Sequence, residues 1–342
     1  MMHRLTDLLA SCGICIALSL YSTQARAQCS GDLNGDHTRD ATDLTALLAN
    51  WGTPGGDCNG DGLTDGGDLT MLLSGWGICP GPSWGAVLEW VPSAAVVTNP
   101  TLRAGIIATG LPWRMRDTAT GIELLLVPPG TYMMGASPSD PEAVSSFEFP
   151  AHQVTLTNAF YLGRTEVTQA QWQALTGSNP SRFAPPLYPA APENPVEQVS
   201  WTMAHALFAA NGLRFPTEAE WEYACRAGDT TGRYGPLNNI AWWGPPGGNA
   251  GGITHPVKGK LPNALGFYDI IGNVCEWVED GWSLYTEGAV TDPTGPSAPI
   301  YLRIFRSSSW ASSSGASRAS YRNLSDPGFQ DGSVGVRVAR NP

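Results

Sequence analysis

GIELLLVPPGTYMMGA, residues 121–136, reads as a strand, a Pro-Pro-Gly turn and a second strand, because two short apolar runs are separated by residues that cannot continue either one. Downstream, EFPAHQVTLTNAFYLGRTEVT (148–168) predicts further strands. Helical signals then begin. Thr168 with Gln171 forms a capping box before AQWQALTG, Thr217 with Glu220 forms another before WEYAC, and Gly212 closes the helix of VSWTMAHALFAANG as a C-terminal glycine does. Strands and short helices mix without regular alternation, which argues against a doubly wound sheet and for an α+β domain.

Composition agrees. Charged residues are 14 %, against about 25 % in an average domain, while 40 glycines, 28 prolines and 13 tryptophans imply a loop-rich body packed on aromatics. A chain of 342 residues holds one large domain and a smaller module. Its start, MMHRLTDLLASCGICIALSLYSTQARAQC, has Arg4, an apolar run from Leu8 to Leu20 and Ala25-Arg26-Ala27, the pattern of a secretory signal over residues 1–27. A short membrane anchor is the alternative, opposed by the run's length, and stable membrane insertion is not expected. The chain is therefore expected to be secreted or extracytoplasmic. Signal removal leaves Cys29, Cys58, Cys79, Cys225 and Cys275, an odd number; one bridge is expected among the first three, with its partners open.

Upstream of the large domain stands a repeat at offset 25, GDLNGDHTRDATDLTALLANWG followed by GDCNGDGLTDGGDLTMLLSGWG, which holds calcium-loop repeats at 32–52 and 57–77. Oxygen side chains fall at Asp32, Asn34, Asp36, Asp40 and Asp43, and again at Asp57, Asn59, Asp61, Asp65 and Asp68. These are positions 1, 3, 5, 9 and 12 of a calcium loop, with Thr38 and Leu63 offering carbonyls at position 7. Leu44, Leu47, Leu48, Trp51 and Leu69, Leu72, Leu73, Trp76 recur at helical spacing behind the loops, so each loop feeds one amphipathic helix. His37 replaces the turn glycine at position 6 that loop 2 keeps as Gly62. Residues 29–79 carry eight Asp against one Arg, which makes nucleic acid an unsuitable partner for a chain of net charge -11.

These half EF-hands resemble a type I dockerin domain over residues 28–79. The resemblance implies a small all-α calcium-binding module that docks on a cohesin-like protein, often within assemblies acting on polysaccharide. Residues 80–119 are expected to be a linker, with CPGPSWG at its start, and an N-terminal extension of open role.

From residue 120 to 342, VPPGTYMMG, HQVTLTNAFYLGRTEVTQAQW, NPVEQVSW, LRFPTEAEWEYACRAG, LPNALGFYDIIGNVCEW, FRSSSW, SRASYRN and VGVRVAR are similar, in order and spacing, to the blocks of the sulfatase-modifying-factor family. Its founding member is the formylglycine-generating enzyme. The resemblance implies a C-type-lectin-like α+β fold and, for that enzyme, oxidation of a sulfatase cysteine by copper(I) held on two cysteines. The first of those positions is here Ser312, the second falls within Ser313–Ala316, and no cysteine follows Cys275. A serine hydroxyl is a hard, un-ionised ligand and does not replace a thiolate on soft copper(I). Copper is accordingly not expected. Ser309 matches the family's pocket serine, and Cys275 stands where the family has tryptophan, either as a thiol in that pocket or as a buried small hydrophobe. The resemblance also implies a calcium site at Asp269, Glu276 and the carbonyls of Gly272 and Val274, against the alternative that Glu276 pairs with an arginine. Cys225 is expected to be a lone structural thiol.

No H-E-x-x-H, G-x-S-x-G or phosphate-binding glycine loop occurs. Trp242 and Trp243 could form a sugar platform or pack in the body. The expected function is a binding or scaffolding module, taking a sulfatase, peptide or glycan ligand and tethered through calcium; the alternative is a formylglycine-generating oxidoreductase.

Overall fold

The computed structural model describes residues 29–137, 142–143, 145–296 and 301–342; the expected signal lies outside the described residues. In the N-terminal module each acidic loop enters its helix through an aspartate cap. Asp40 accepts from the Thr42 amide ahead of α1 (Ala41–Ala49) and Asp65 from the Gly67 amide ahead of α2 (Gly66–Ser74), with Asp43 and Asp68 closing the two capping boxes. Leu47 and Leu72 form the fully buried centre of the helix pair.

The module is not purely helical. Thr38–Arg39 (β1) pairs antiparallel with Gly77–Ile78 (β2), and Cys29 bridges to Cys79. That closure ties the two ends of the repeat together, and a bridge across 50 residues restricts the unfolded module by about 4 kcal/mol on chain-entropy grounds.

The segment expected to be linker and extension is built into the large domain. Gly85–Glu89 (β3) pairs with Arg114–Asp117 (β4), which pairs with Glu123–Val127 (β5) and so joins a five-stranded antiparallel sheet ordered β14-β8-β5-β4-β3, where β8 is Phe160–Gly163 and β14 is Ala339–Arg340. Helix α3 (Pro100–Thr109), capped by the Asn99 side chain, packs on this sheet through Leu102 and Ile106. Both faces of β5 are buried along Leu124–Val127, which explains its unbroken apolar run.

The Pro-Pro-Gly turn does not make a hairpin. After it, Gly130–Met134 (β6) leaves the first sheet and pairs with His152–Leu156 (β7), itself parallel to Val290–Thr291 (β10). A third sheet, β12-β11-β9-β13, comprises Cys275–Gly281 (β9), Arg303–Arg306 (β11), Arg322–Ser325 (β12) and Val334–Val336 (β13), with β13 parallel to β9. Helices α4 (Gln169–Thr176), α5 (Trp201–Ala210) and α6 (Glu218–Arg226) carry the expected caps, Gly212 taking a left-handed φ of 66° just past α5. Every residue of α6 except half-buried Glu220 is buried, so this helix is the hub against which the second and third sheets close.

Candidate binding sites

Phe305–Asn323 begins as the end of β11, and buried arginines pin it down. Arg306, fully buried, reaches Glu218 and Glu222 on α6; Arg318 forks onto Glu148 at 2.7 and 2.8 Å; Arg322 forks onto Glu218 at 2.6 and 2.8 Å. Paired bidentate contacts of this kind fix orientation as well as charge. The serine-rich run is thus an ordered wall.

Its turn is held at both edges. The Trp310 amide donates to the Asn273 carbonyl at 2.8 Å and its indole N–H to the Gly332 carbonyl at 2.8 Å, while the ring stands edge-on to Phe183. Within the turn the Ser309 amide donates to Ser312 Oγ at 2.9 Å, and the two hydroxyls share a hydrogen bond at 3.1 Å. Cys275, at the start of β9, is 4 % exposed; its thiol donates to the Ser307 carbonyl and lies within reach of the Ser309 hydroxyl. Burial, reinforced by the Glu276 charge, pushes this thiol up to about 12. The structure therefore does bring Ser309, Ser312 and Cys275 together, as a neutral cluster of two hydroxyls and one protonated thiol. It offers no pair of thiolates.

Residues 113–342 match the family described as sulfatase-modifying factor enzyme 1-like domain. The chain belongs to this family. Among proteins similar to it are the formylglycine-generating enzymes of Streptomyces coelicolor, 34 % identical over 176 residues and covering 44 % of this chain and 54 % of the relative, and of Mus musculus, 29 % identical over 238 residues and covering 52 % and 63 %. The chain thus spans between half and two thirds of the length of those enzymes. Chaperone protein LppX of Paenibacillus barcinonensis is 27 % identical over 283 residues, covering 66 % of this chain and 91 % of that protein. Two solved structures resemble the fold: Treponema denticola variable protein 1 (TM-score 0.57, 29 % identity, 65 % of this chain and 95 % of that one) and PvdO from Pseudomonas aeruginosa (TM-score 0.58, 26 % identity, 67 % and 98 %).

Within the calcium quartet expected from the sulfatase-modifying-factor resemblance, Glu276 is placed against an arginine, the alternative weighed for it. Its carboxylate accepts from Arg337 Nη2 at 2.7 Å and Nε at 3.0 Å, and from the Trp221 indole N–H at 2.6 Å, all fully buried. The arginine pairing wins because a guanidinium and an indole together satisfy both carboxylate oxygens in a dry interior. Asp269 differs: Oδ2 accepts from the Lys258 amide at 2.6 Å, while Oδ1 is buried without a partner among the described residues. Asp269 thus keeps one oxygen open to a cation, while both Glu276 oxygens are occupied by protein donors. At Gly272 and Val274 the contacts shown are amide ones, to Ser307 Oγ and Glu166 Oε1.

Nothing in the sequence pattern pointed to Glu166. It is fully buried, accepts from the Asn273 side chain and the Val274 amide, and is pushed well up by burial and then by the charges of Asp269 and Glu276. A lone acidic residue in a strand-rich stretch gives no periodic signal. Trp242 and Trp243 likewise form no platform: Trp242 lies between the His255 ring, stacked at 3.9 Å, and Lys260 Nζ at 3.8 Å, and Trp243 is buried. Cys225 is a buried lone thiol, as expected.

In the N-terminal loops, oxygens of Asp32, Asp36 and Asp43 lie within 4.8 Å of one another, a spacing that suits one cation. The two loops repeat their wiring. Asp32 and Asp57 accept from the amides of His37 and Gly62 at 2.9 and 2.8 Å, and Asp43 and Asp68 from those of Leu33 and Cys58 at 2.7 Å each. Asn34 and Asn59 accept from the amides of Asp36 and Asp61, and those aspartates from the amides of Thr38 and Leu63. Backbone donors, Asp65 first, hold the Asp68 carboxyl below its ordinary range. Asp40 and Asp65 instead direct their side chains to the helix caps. His37 adopts the left-handed turn a glycine would, at φ 67°, and stacks on Trp90 at 4.1 Å with planes 6° apart, tying loop 1 to the large domain.

Proposed function

We propose that this chain is an extracytoplasmic binding or scaffolding protein: a sulfatase-modifying-factor domain without the copper chemistry, tethered by a dockerin-type module to a cohesin-like partner. The observation that carries the first half is the Ser309–Ser312 hydroxyl pair, hydrogen-bonded to itself where the family enzyme would place a thiolate. Hydroxyls that satisfy one another and never ionise at neutral pH are poor ligands for a soft metal. The name chaperone, carried by a relative aligned over nearly all of its own length, fits a family domain that binds a polypeptide. Its ligand would be a sulfatase, another peptide or a glycan, in the setting of polysaccharide breakdown.

The tether rests on the repeated face of the small module. Leu48 on the first helix with Trp51 just past its end, and Leu73 on the second with Trp76 just past its end, are each about half exposed, at 53, 48, 50 and 49 %. Duplicate apolar faces left open in this way suit a protein partner. Calcium in the loops at Asp32 and Asp57 would hold the two helices in register. A formylglycine-generating oxidoreductase is the second reading, favoured by the 34 % identity to the Streptomyces coelicolor enzyme. A pull-down of the full chain with calcium and with chelator tests the tether. A partner retained with calcium and released by chelator is the expected result, and a partner indifferent to chelator refutes it.

A further inference from the structure

A cavity of about 600 Å³ opens between the start of α3, the Pro128-Pro129 turn and the C-terminal end of α6, away from the serine wall and from both acidic loops. Its volume lies within the range of small-molecule sites, roughly 300–1,000 Å³. The lining is mainly apolar, with Leu102, Pro128, Pro129 and the rings of Tyr132 and Tyr223 among it. The two tyrosines meet at 5.3 Å and form an aromatic wall, yet their hydroxyls differ. Tyr132 donates to the Ala219 carbonyl at 2.8 Å. Tyr223 is 5 % exposed, and its hydroxyl makes no hydrogen bond among the described residues and opens on the cavity.

The backbone is shaped around that hydroxyl. A Cβ at position 130 would stand 2.0 Å from Tyr223 Oη, so Gly130 is what lets the hydroxyl reach the cavity wall. Burial pushes the phenol up to about 12, which keeps it a donor at any physiological pH. The charged groups on the lining are committed elsewhere: Arg226 to Glu222 and the carbonyls of Gly135 and Thr231, and Asp229 to the amide and hydroxyl of Thr231. An anionic ligand would find no free cation ready for it.

We infer that this cavity is a binding site for a neutral, largely apolar small molecule of aromatic size, oriented by one acceptor oxygen that accepts a hydrogen bond from the Tyr223 hydroxyl. The hydroxyl faces the cavity, and a bound acceptor gives it a direct hydrogen bond beside an apolar wall.

The test uses the full chain and the neutral fluorescent probe N-phenyl-1-naphthylamine. The probe is displaced either by 1-acetonaphthone, which carries a carbonyl acceptor, or by 1-ethylnaphthalene, which has the same shape without one. Tyr223→Phe removes only the hydroxyl, and because that group bonds to none of the described residues the variant should melt where the wild type does. The expected result is probe uptake by the wild type, with acetonaphthone weakened about threefold to tenfold in Tyr223→Phe and ethylnaphthalene unchanged. No probe uptake by the folded chain overturns the inference, as does a variant that weakens both displacers alike or neither.

Discussion

Replacing Arg337 with methionine tests how the interior around Glu276 is held. The guanidinium makes five hydrogen-bonding contacts, three to the Glu276 carboxylate and one each to the carbonyls of Gly163 and Tyr268, and Arg337 and Glu276 are both fully buried. Methionine fills similar volume but leaves Glu276 with the Trp221 indole alone, beside buried Asp269 and Glu166. Removing one partner of a buried ion pair costs about 3–5 kcal/mol, because the remaining charge keeps its desolvation penalty. For a domain of this size that loss corresponds to a drop in thermal midpoint of roughly 10 °C. Calorimetry and urea unfolding, with and without millimolar calcium, supply the measurement. The double variant Glu276→Gln with Arg337→Met should recover part of the loss. If Arg337→Met costs under about 1 kcal/mol, or if calcium alone restores it, Glu276 is a metal ligand and the ion-pair account fails.

In the folded protein, Cys225 and Cys275 should resist alkylation while half-buried Cys58 is modified slowly, since burial pushes all three thiols up and seals the first two; mass spectrometry that finds Cys275 modified as fast as Cys58 would contradict the closed pocket. Glu197 is buried, accepts from the amides of Arg182 and Phe183, and is raised by burial from 4.5 to about 7. Because the folded state then holds the proton more tightly than the unfolded chain, its stabilising share is complete below pH 4.5 and is lost as pH rises through about 7. The urea midpoint of the wild type should accordingly fall, relative to Glu197→Gln, between pH 5 and pH 8; a difference that stays flat with pH would refute it.

What the sequence made legible was local. Thr168 with Gln171 and Thr217 with Glu220 announce their helices because a cap satisfies its donors within three residues. The acidic loops were readable for the same reason, each side chain bonding an amide a few positions away. Pairings between distant segments carry no such mark. The parallel contacts of β13 with β9 and of β10 with β7 join segments that no pattern links, and the adjacent strands β5 and β6 diverge into different sheets. Likewise the arginines of Phe305–Asn323 showed that the serine run is ordered, but their partners Glu148, Glu218 and Glu222 lie more than 80 residues upstream. Helical spacing marked Leu47 and Leu48 equally; packing alone decided that one is buried and the other open. Tyr223 lacked any signal, since an unpartnered hydroxyl is visible only once its neighbours are placed.

A copper(I) titration of the full chain, followed by oxygen uptake in the presence of a sulfatase-derived peptide carrying C-x-P-x-R, tests whether the serine wall has lost the family's copper chemistry. With Ser309 and Ser312 bonded to one another and the Cys275 thiol protonated, no stoichiometric copper(I) binding and no peptide oxidation are expected. Tight binding of one copper(I) per chain with turnover of the peptide would contradict the account.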